Sequence, residues 1–472
     1  MSFASIVFIF IFLPITLTLY YILPRGNWRL VVLILASLVF FAWGDVRHLP
    51  VLIFFFIANY SFGLLIDKFL RGDQPKLKRV SMWLGVIVNL LIMFYCKYLR
   101  IFGNFFPDFT IGQIDFHQQA IMLGISYLTF TSLSYLLDIS RGIKPAQRNP
   151  LNVAAYLIMF PKLIQGPITL FHDIEPQLKP GKIDLEDIHW GIRRFIIGLA
   201  KKVLLADTII LVVNKIYGVN PDLLGAGTAW MGLIAFSLVI YFDFAGYTDM
   251  ALGIGRLFGF KLPENFNFPY ISRSITDFWR RWHLSLTNWF RTYVFLPLEF
   301  ARRRDKFFRQ QTNILIVFFL TGLWHGASWN FIVWGIFYGL ILAIEVSGFG
   351  KRLKQTPVIV QHIYTLTIIL IGWAIFSIPD INRSLSFMGA LVGLNGLTGD
   401  LDLRSLNLIT YIPLILAGIV FSTPLPAKLF KGKFLNSSFR WVLTDLAYLG
   451  IFVLSLAYIL SNGFQAFMYA KF

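Results

Sequence analysis

Two apolar runs of the chain meet at a short polar stretch, Leu320-Thr321-Gly322-Leu323-Trp324-His325-Gly326-Ala327-Ser328-Trp329-Asn330. If Arg309 marks the cytoplasmic boundary, a helix from Gln310 to Trp324 rises at most about 22 Å, less than the ~30 Å hydrocarbon core. His325 is then expected inside the bilayer, towards the far leaflet. An ionisable side chain there is costly and marks a functional site by default, although a histidine that only ties helices together is an equally good interpretation.

The composition defines the class of protein. Of the 472 residues 57% are hydrophobic and 14% charged, and the mean hydropathy is +0.68. These values exclude an ordinary soluble protein and predict an all-α polytopic membrane protein. Several apolar runs are shorter than the ~20 residues that span a bilayer, so breaks and tilts are expected. The candidate spans are 3–23, 30–43, 50–66, 82–98, 120–137, 205–217, 230–244, 313–323, 327–344, 359–378, 408–421 and 442–460.

Basic residues outnumber acidic ones, 42 to 24, which gives a formal net charge of +18. In a membrane protein this excess is explained by positively charged cytoplasmic loops and anionic headgroups, with an anionic substrate as a further interpretation; nucleic acid is not expected. The alternation of basic loops predicts that 256–309 is cytoplasmic and that both termini lie outside. The single cysteine, Cys96, excludes an intramolecular disulfide, and no pair of histidines has metal-ligand spacing, so no metal is expected.

No long polar segment interrupts the apolar runs, which predicts one continuous membrane domain over residues 1–472. Residues 160–168 carry two prolines and a glycine, so this segment is expected to bend or re-enter. Residues 188–205 mix an apolar face with Arg193, Arg194, Lys201 and Lys202, as an interfacial helix does. Charges of that kind are most often anchors at the membrane surface.

Residues 277–293 are predicted to form one helix that Pro297 ends, with a capping pattern formed by Ser274 and Asp277. The residues that repeat at helical spacing form an aromatic stripe: Trp282, Leu286, Trp289 and Tyr293. Charge comes from Arg280, Arg281, His283 and Arg291. One interpretation is an amphipathic helix resting on headgroups; the other is an anion-binding mouth, with guanidinium groups for phosphates and indole faces for an adenine.

Two acids within an apolar run, Asp243 and Asp249, are candidates to orient a histidine or an arginine. Structural pairing explains them at least as well.

Several motifs together resemble the membrane-bound O-acyltransferase family, specifically its branch that O-acetylates alginate and peptidoglycan. Residues 278–286 (Phe-Trp-Arg-Arg-Trp-His-Leu-Ser-Leu) and 323–326 (Leu-Trp-His-Gly) resemble the two histidine motifs of the family. Residues 241–249, 253–260 and 263–270, Gly166-Pro167 and the N-terminal 8–43 resemble the same branch. The likeness covers nearly the whole chain.

The resemblance implies a ring of about 11–13 tilted transmembrane and re-entrant helices around a central tunnel. Within it, residues 1–149 are the N-terminal helices, 150–350 the catalytic core with both histidine motifs, and 351–472 the C-terminal helices. It implies that His325 and His283 are catalytic, the latter on the cytoplasmic side. The donor-binding candidates are Arg280, Arg281, Trp282 and Arg291, and the candidate tunnel supports are Asp243, Trp324 and Asn330.

The same resemblance implies a function in the bacterial cytoplasmic (inner) membrane. Acetyl-CoA is the implied donor substrate, with no bound cofactor, and the implied acceptor is an extracytoplasmic serine-hydrolase-like partner that modifies an envelope polysaccharide. Alternatives are D-alanyl transfer from a carrier protein, a transporter or flippase without chemistry, and an inactive scaffold. The chain departs from related sequences at Thr292, where Asp is typical, and at Glu299-Phe300, which replaces a glycine pair.

Overall fold

The computed structural model describes residues 1–98, 121–179, 183–305, 307–326, 328–399, 401–429, 437–463 and 467. These residues form helices joined by turns, and their only strand-like pairings are single bridges from Leu224 to Gly399 and to Leu401. Within the same residues, six helical segments are long and apolar enough to cross a membrane: Asn27–Arg71, Pro75–Tyr98, Ala226–Leu257, Trp329–Leu353, Val358–Ser377 and Trp441–Asn462. The chain is an all-α polytopic membrane protein, as its composition predicts.

The described chain divides into two compact units. Unit 1 comprises Met1–Phe195 with Tyr247–Glu264, and unit 2 comprises Ile196–Gly246 with Asn265–Phe472. The chain passes between the units at three points: within α9 and α11, whose ranges are given below, and between Glu264 and Asn265. Both histidine motifs belong to unit 2. One continuous membrane domain stays a prediction.

Unit 1 begins with a π-helical turn, Phe8–Phe12, and then contains α1 (Leu13–Ile22), α2 (Asn27–Asp45), α3 (Leu49–Arg71), α4 (Pro75–Met93), α5 (Ile125–Ser140), α6 (Pro150–Ile158), α7 (Phe160–Leu163), α8 (Phe171–Ile174) and the larger part of α9 (Leu185–Ala200). Helices α3 and α4 are joined by two buried amides, because Asn59 and Asn89 donate to each other's Oδ1 at 3.1 and 2.9 Å. Each amide also donates to the carbonyl four residues earlier, so these polar groups are satisfied within an apolar unit.

The predicted bend in residues 160–168 is confirmed. Helix α6 ends where Met159 leaves the helical region (φ −50°, ψ 117°), and α7 lasts only from Phe160 to Leu163. At Gly166 a Cβ would overlap the backbone of Lys162, so the chain turns back on itself too tightly for any side chain.

Unit 2 contains α10 (Asp207–Tyr217), most of α11 (Ala226–Leu257), α12 (Ile275–Trp279), α13 (Leu284–Phe290), α14 (Leu296–Ala301), α15 (Arg309–His325), α16 (Trp329–Ile344), α17 (Gly350–Leu353), α18 (Val358–Ser377), α19 (Ile381–Leu391), α20 (Ile412–Phe421), α21 (Leu425–Leu429) and α22 (Ser437–Asn462). Helices α15 and α16 pack closely where Gly322 meets Gly335: a Cβ on Gly322 would overlap the Phe331 carbonyl oxygen, and one on Gly335 the Phe318 carbonyl oxygen. This close approach places His325 at the turn between the two helices.

The prediction of one helix over residues 277–293 is wrong. Helix α12 ends at Trp279, a turn follows, and α13 begins at Leu284. The break occurs because His283 adopts the left-handed region (φ +46°, ψ +54°), which no helix tolerates at an internal position. Pro297 does not end a helix either: the π-helical turn Arg291–Phe295 runs directly into α14, where proline is tolerated in the first turn.

The interfacial helix predicted for residues 188–205 also differs. Helix α9 continues through a π-helical turn, Lys201–Ala206, into α10. The surface-anchor interpretation is wrong for Lys202, which is only 1% exposed. Its amine contacts Asp207 Oδ1 at 2.6 Å and Asp243 Oδ1 at 2.8 Å. Two carboxylates compensate the charge that the fold removes from solvent.

Candidate active site

The segment that carries the first histidine motif starts at a well-capped short helix. Ser274 Oγ accepts a hydrogen bond from the Asp277 amide at 3.0 Å, as the capping pattern predicts. The Asp277 carboxylate accepts from Arg281 Nε at 3.0 Å, one helical turn later. Part of the basic charge in this segment is therefore neutralised locally.

His283 is held by a neighbouring segment of chain. Asn265 Oδ1 accepts from His283 Nδ1 at 3.0 Å, from the Ser285 amide at 3.2 Å and from Ser285 Oγ at 2.9 Å. The backbone carbonyl of Asn265 accepts from the Leu284 amide at 3.0 Å. A non-glycine residue in the left-handed region costs on the order of 1–3 kcal/mol, so these bonds are what retain the unusual backbone at His283.

The contact with Asn265 determines the tautomer of His283. The Ser285 amide donates to Oδ1, so that atom is the amide oxygen, and an oxygen of this kind only accepts. Nδ1 of His283 therefore carries the hydrogen, and the lone pair of the neutral ring is on Nε2. Burial lowers the pKa of His283 from its usual value to about 3, because charging the ring inside the protein would cost desolvation. The ring is 1% exposed and neutral at physiological pH.

His325 is the last residue of α15 and is 7% exposed. Its ring lies edge-on to Trp334 and to Phe376, with centroids 5.1 Å away in both cases. The ring of Trp324 is 4.5 Å from that of His325 and 6.2 Å from that of His283. Trp324 thus contacts both histidines, and its role as a tunnel support stays a prediction.

The two histidines line one small enclosed cavity. Its walls are formed by Trp279, Trp282, His283, Leu286, Thr321, His325, Trp334, Trp373 and Phe376. Its water-accessible volume of ≈ 10 Å³ is about what one water molecule needs. The two sequence motifs therefore line the same apolar cavity. Among these lining residues, the two imidazoles are the titratable groups.

The other candidate residues separate into exposed and buried groups. Arg280 and Arg291 are exposed, and within the described part of the chain neither forms an ion pair with a carboxylate. Arg281 differs, because Asp277 already pairs with it. Among the three arginines, Arg280 and Arg291 therefore have the guanidinium groups better suited to an anionic ligand.

Trp282 is buried in an aromatic cluster. Its ring stacks on Phe278 at 5.6 Å, meets Phe266 edge-on at 5.0 Å and lies 4.9 Å from Trp373. This packing makes Trp282 a wall of the cavity, so we assign it to that wall rather than to an adenine.

The remaining predicted supports act at different places. Asn330 donates from Nδ2 to the Phe376 carbonyl at 3.1 Å, and its Oδ1 accepts from Ser328 Oγ, which fixes the turn that follows His325. Asp243 pairs with Lys202. This contact favours a structural ion pair for Asp243 over a role in orienting a histidine.

Sequence reasoning gave no role to two residues that position the site. Asn265 lies in the segment 263–270, where Glu264, Asn265 and Asn267 are the polar residues between aromatic residues and prolines, and this pattern does not single it out. In the sequence, Glu299 is recognisable only as a departure from related sequences. Its carboxylate accepts from Arg309 Nε at 2.9 Å and from Asn313 Nδ2 at 2.7 Å. Glu299 therefore ties α14 to the first turns of the helix that ends at His325.

Replacing Asn265 with leucine tests whether the hydrogen bonds of its side chain to His283 and Ser285 are needed for activity. We expect kcat to fall about 10²-fold, because the imidazole loses the acceptor that fixes its tautomer and orientation. Asn265→Asp keeps an acceptor oxygen and should recover part of the activity. Asn267→Leu is the matched control, since Asn267 is exposed two residues away. Equal kcat values for Asn265→Leu and Asn267→Leu in an activity assay would contradict the role of Asn265.

Comparison with known proteins shows the family of the chain. Residues 107–387 match the family model of MBOAT, the membrane-bound O-acyltransferase family. The chain is 35% identical to a probable alginate O-acetylase, AlgI, of Azotobacter vinelandii, over 89% of this chain and 84% of the relative. It is 33% identical to a peptidoglycan O-acetyltransferase of Helicobacter pylori, over 83% and 80%.

A teichoic acid D-alanyltransferase of Bacillus subtilis is 29% identical, over 66% of this chain and 82% of the relative. The family match covers more than half of the chain, and the O-acetyltransferase relatives match over most of it. The chain belongs to the membrane-bound O-acyltransferase family and is an O-acyltransferase enzyme.

Proposed function

We propose that this enzyme takes an acetyl group from acetyl-CoA on the cytoplasmic side of the bacterial inner membrane and transfers it to a hydroxyl group on the outer side. The acceptor is an extracytoplasmic partner of the serine-hydrolase-like type, which then O-acetylates an envelope polysaccharide. The observation that carries the proposal is the shared cavity of His283 and His325. The names of the O-acetyltransferase relatives support acetyl as the transferred group.

The proposed chemistry needs one base. His325 accepts the proton of the acceptor hydroxyl while its oxygen attacks the thioester carbonyl carbon. The new C–O bond forms, the C–S bond breaks, and the proton passes from the imidazole to the departing thiolate of CoA. The apolar walls exclude water, which limits hydrolysis of the thioester. The thioester needs more room than one water molecule, so we expect aromatic side chains of the cavity wall to move when the donor binds.

His283 complements His325 by its fixed tautomer. Its Nε2 carries a lone pair, so this ring accepts a hydrogen bond within the cavity and does not protonate the substrate at neutral pH. In the proposal it orients the acceptor hydroxyl or the amide of the pantetheine arm. His325 keeps the role of proton acceptor.

Charge reversal of the exposed arginines tests the proposed binding of CoA. We expect Arg280→Glu and Arg291→Glu each to weaken CoA binding by about threefold to tenfold and to flatten its dependence on salt, because each removes an exposed cation that meets the phosphates. Arg281→Glu should have a smaller effect, since Asp277 already pairs with Arg281. Lys351→Glu is the control, at an exposed residue of α17.

A calorimetric titration of CoA measures these affinities. If Arg280→Glu and Arg291→Glu leave the affinity and its salt dependence at the wild-type values, both arginines return to the interpretation as headgroup anchors.

A second candidate is D-alanyl transfer, which the name of the Bacillus subtilis relative favours. Its donor in this alternative is a carrier protein. Purified enzyme with its partner, assayed with acetyl-CoA, other acyl-CoA thioesters and a D-alanyl carrier protein, separates the two. We expect thioester consumption with acetyl-CoA. Consumption with the carrier protein alone would replace the donor in the proposal, and substrate flux without thioester cleavage would favour a transporter.

A further inference from the structure

A buried carboxylate holds the start of the first histidine motif. Glu345 follows the last residue of α16 and is 5% exposed. Its Oε1 accepts from the Ile275 amide at 2.8 Å and from the Tyr364 hydroxyl at 3.2 Å. Its Oε2 accepts from the Thr276 amide at 2.8 Å and from Thr276 Oγ1 at 2.6 Å.

These donors account for the buried charge of Glu345. Across the described ranges, no basic side chain forms an ion pair with this carboxylate. The amides at the start of a helix lack partners within the helix, and they favour a negative charge. Ser274 takes the third amide of α12, so Glu345 takes the two that remain. A side chain distant in sequence therefore completes the cap of a helix with five residues.

The helix that precedes Glu345 also contacts His325 and the last residue of α12. Trp279, the last residue of α12, packs edge-on against Trp334 at 5.7 Å and Tyr338 at 5.1 Å, both on α16. Trp334 in turn contacts the ring of His325 at 5.1 Å. One continuous helical run thus contacts His325 near its start, Trp279 in its middle and the beginning of α12 through Glu345 at its end.

We propose that Glu345 is a positioning residue for acyl transfer. It fixes α12 on α16, and thereby sets the place of the turn Arg280–His283 relative to His325. The hydrogen-bond partners of Glu345 in the described part of the chain are Ile275, Thr276 and Tyr364, none of which lines the cavity, so its effect passes through Ile275 and Thr276. The inference rests on the proposed function, because it gives Glu345 a role in that reaction.

Glu345→Gln is the principal test. Glutamine has nearly the same size but keeps one acceptor oxygen and turns an NH₂ group towards backbone donors. We expect faster amide hydrogen exchange over residues 275–283 with unchanged exchange over α15. We expect kcat to fall at least tenfold with less than a threefold change in KM for acetyl-CoA, because misplacement by a fraction of an ångström impairs the chemical step. Ser347→Ala is the matched control: Ser347 is exposed in the same turn and bonds Gln311.

The outcomes are distinct. Faster exchange over 275–283 together with the fall in kcat supports the proposal. Wild-type kcat per folded enzyme, with or without a lowered Tm, overturns it and leaves Glu345 a purely structural residue. If Glu345→Gln does not fold, Thr276→Val is the deciding variant, because it removes only the hydroxyl donor to Glu345. A threefold or greater fall in kcat at unchanged Tm supports the positioning role. Wild-type kcat of Thr276→Val overturns it. Failure of the proposed function is a separate result, namely full activity of His325→Ala.

Discussion

We expect His325→Ala to abolish thioester consumption, lowering kcat at least about 10³-fold, because a general base of this kind contributes on the order of 10²–10⁴-fold and no other side chain takes its place in the proposal. The imidazole lies at the wall of an aromatic cavity, 7% exposed, with Trp334 and Phe376 edge-on to it. The measurement is release of the CoA thiol from acetyl-CoA by purified enzyme and its partner.

Two further variants separate catalysis from a structural role of this histidine. His325→Gln keeps most of the volume and hydrogen-bonding capacity of the side chain but provides no base, so a residue that only ties helices together would tolerate it. We expect His325→Gln to be folded and as inactive as the alanine variant. His48→Ala is the control, because His48 bonds Asp45 within unit 1. Activity of His325→Gln near that of His48→Ala would remove His325 as the catalyst.

The sequence predicted this end of the site well because local signals determine it. The apolar run before His325 forms α15, which ends at His325, and Gly322 allows the close approach of α15 and α16. The capping pattern at Ser274 is also local, and the helix begins after it. In each case residues within one short segment give the signal that predicts the helix boundary, although Glu345 completes the cap of α12 from a distant part of the chain.

The break at His283 was not predictable in the same way. Aromatic and basic residues continue at helical spacing through 277–293, so periodicity favours one helix. The helix breaks because Asn265, eighteen residues earlier, bonds the His283 ring and the two following amides. Glu345 is a comparable case, since a single acid after an apolar run gives no sign of the distant amides that it accepts from. Tertiary contacts between segments distant in sequence decide both features.

Lys202→Met should destabilise the protein by about 3–5 kcal/mol, because removing one member of a buried ion pair leaves uncompensated charge. Lys202 contacts Asp207 and Asp243, and the three side chains are buried in unit 2. The two carboxylates would then lose the amine that both of them contact. We expect the Tm in detergent to fall by several degrees, whereas Lys215→Met, at an exposed lysine of α10, should leave it within about a degree.

The triple variant Lys202→Met, Asp207→Asn and Asp243→Asn shows what the cluster contributes. Replacing a whole buried charge cluster by neutral groups of similar size is often nearly neutral, so we expect most of the lost Tm to return. A triple variant less stable than Lys202→Met alone would contradict the ion-pair explanation. The activity of the triple variant then decides the role of Asp243. If the variant regains both stability and kcat, Asp243 serves only to pair Lys202. Restored stability with low kcat would show that the charge of Asp243 also supports the acyl-transfer reaction.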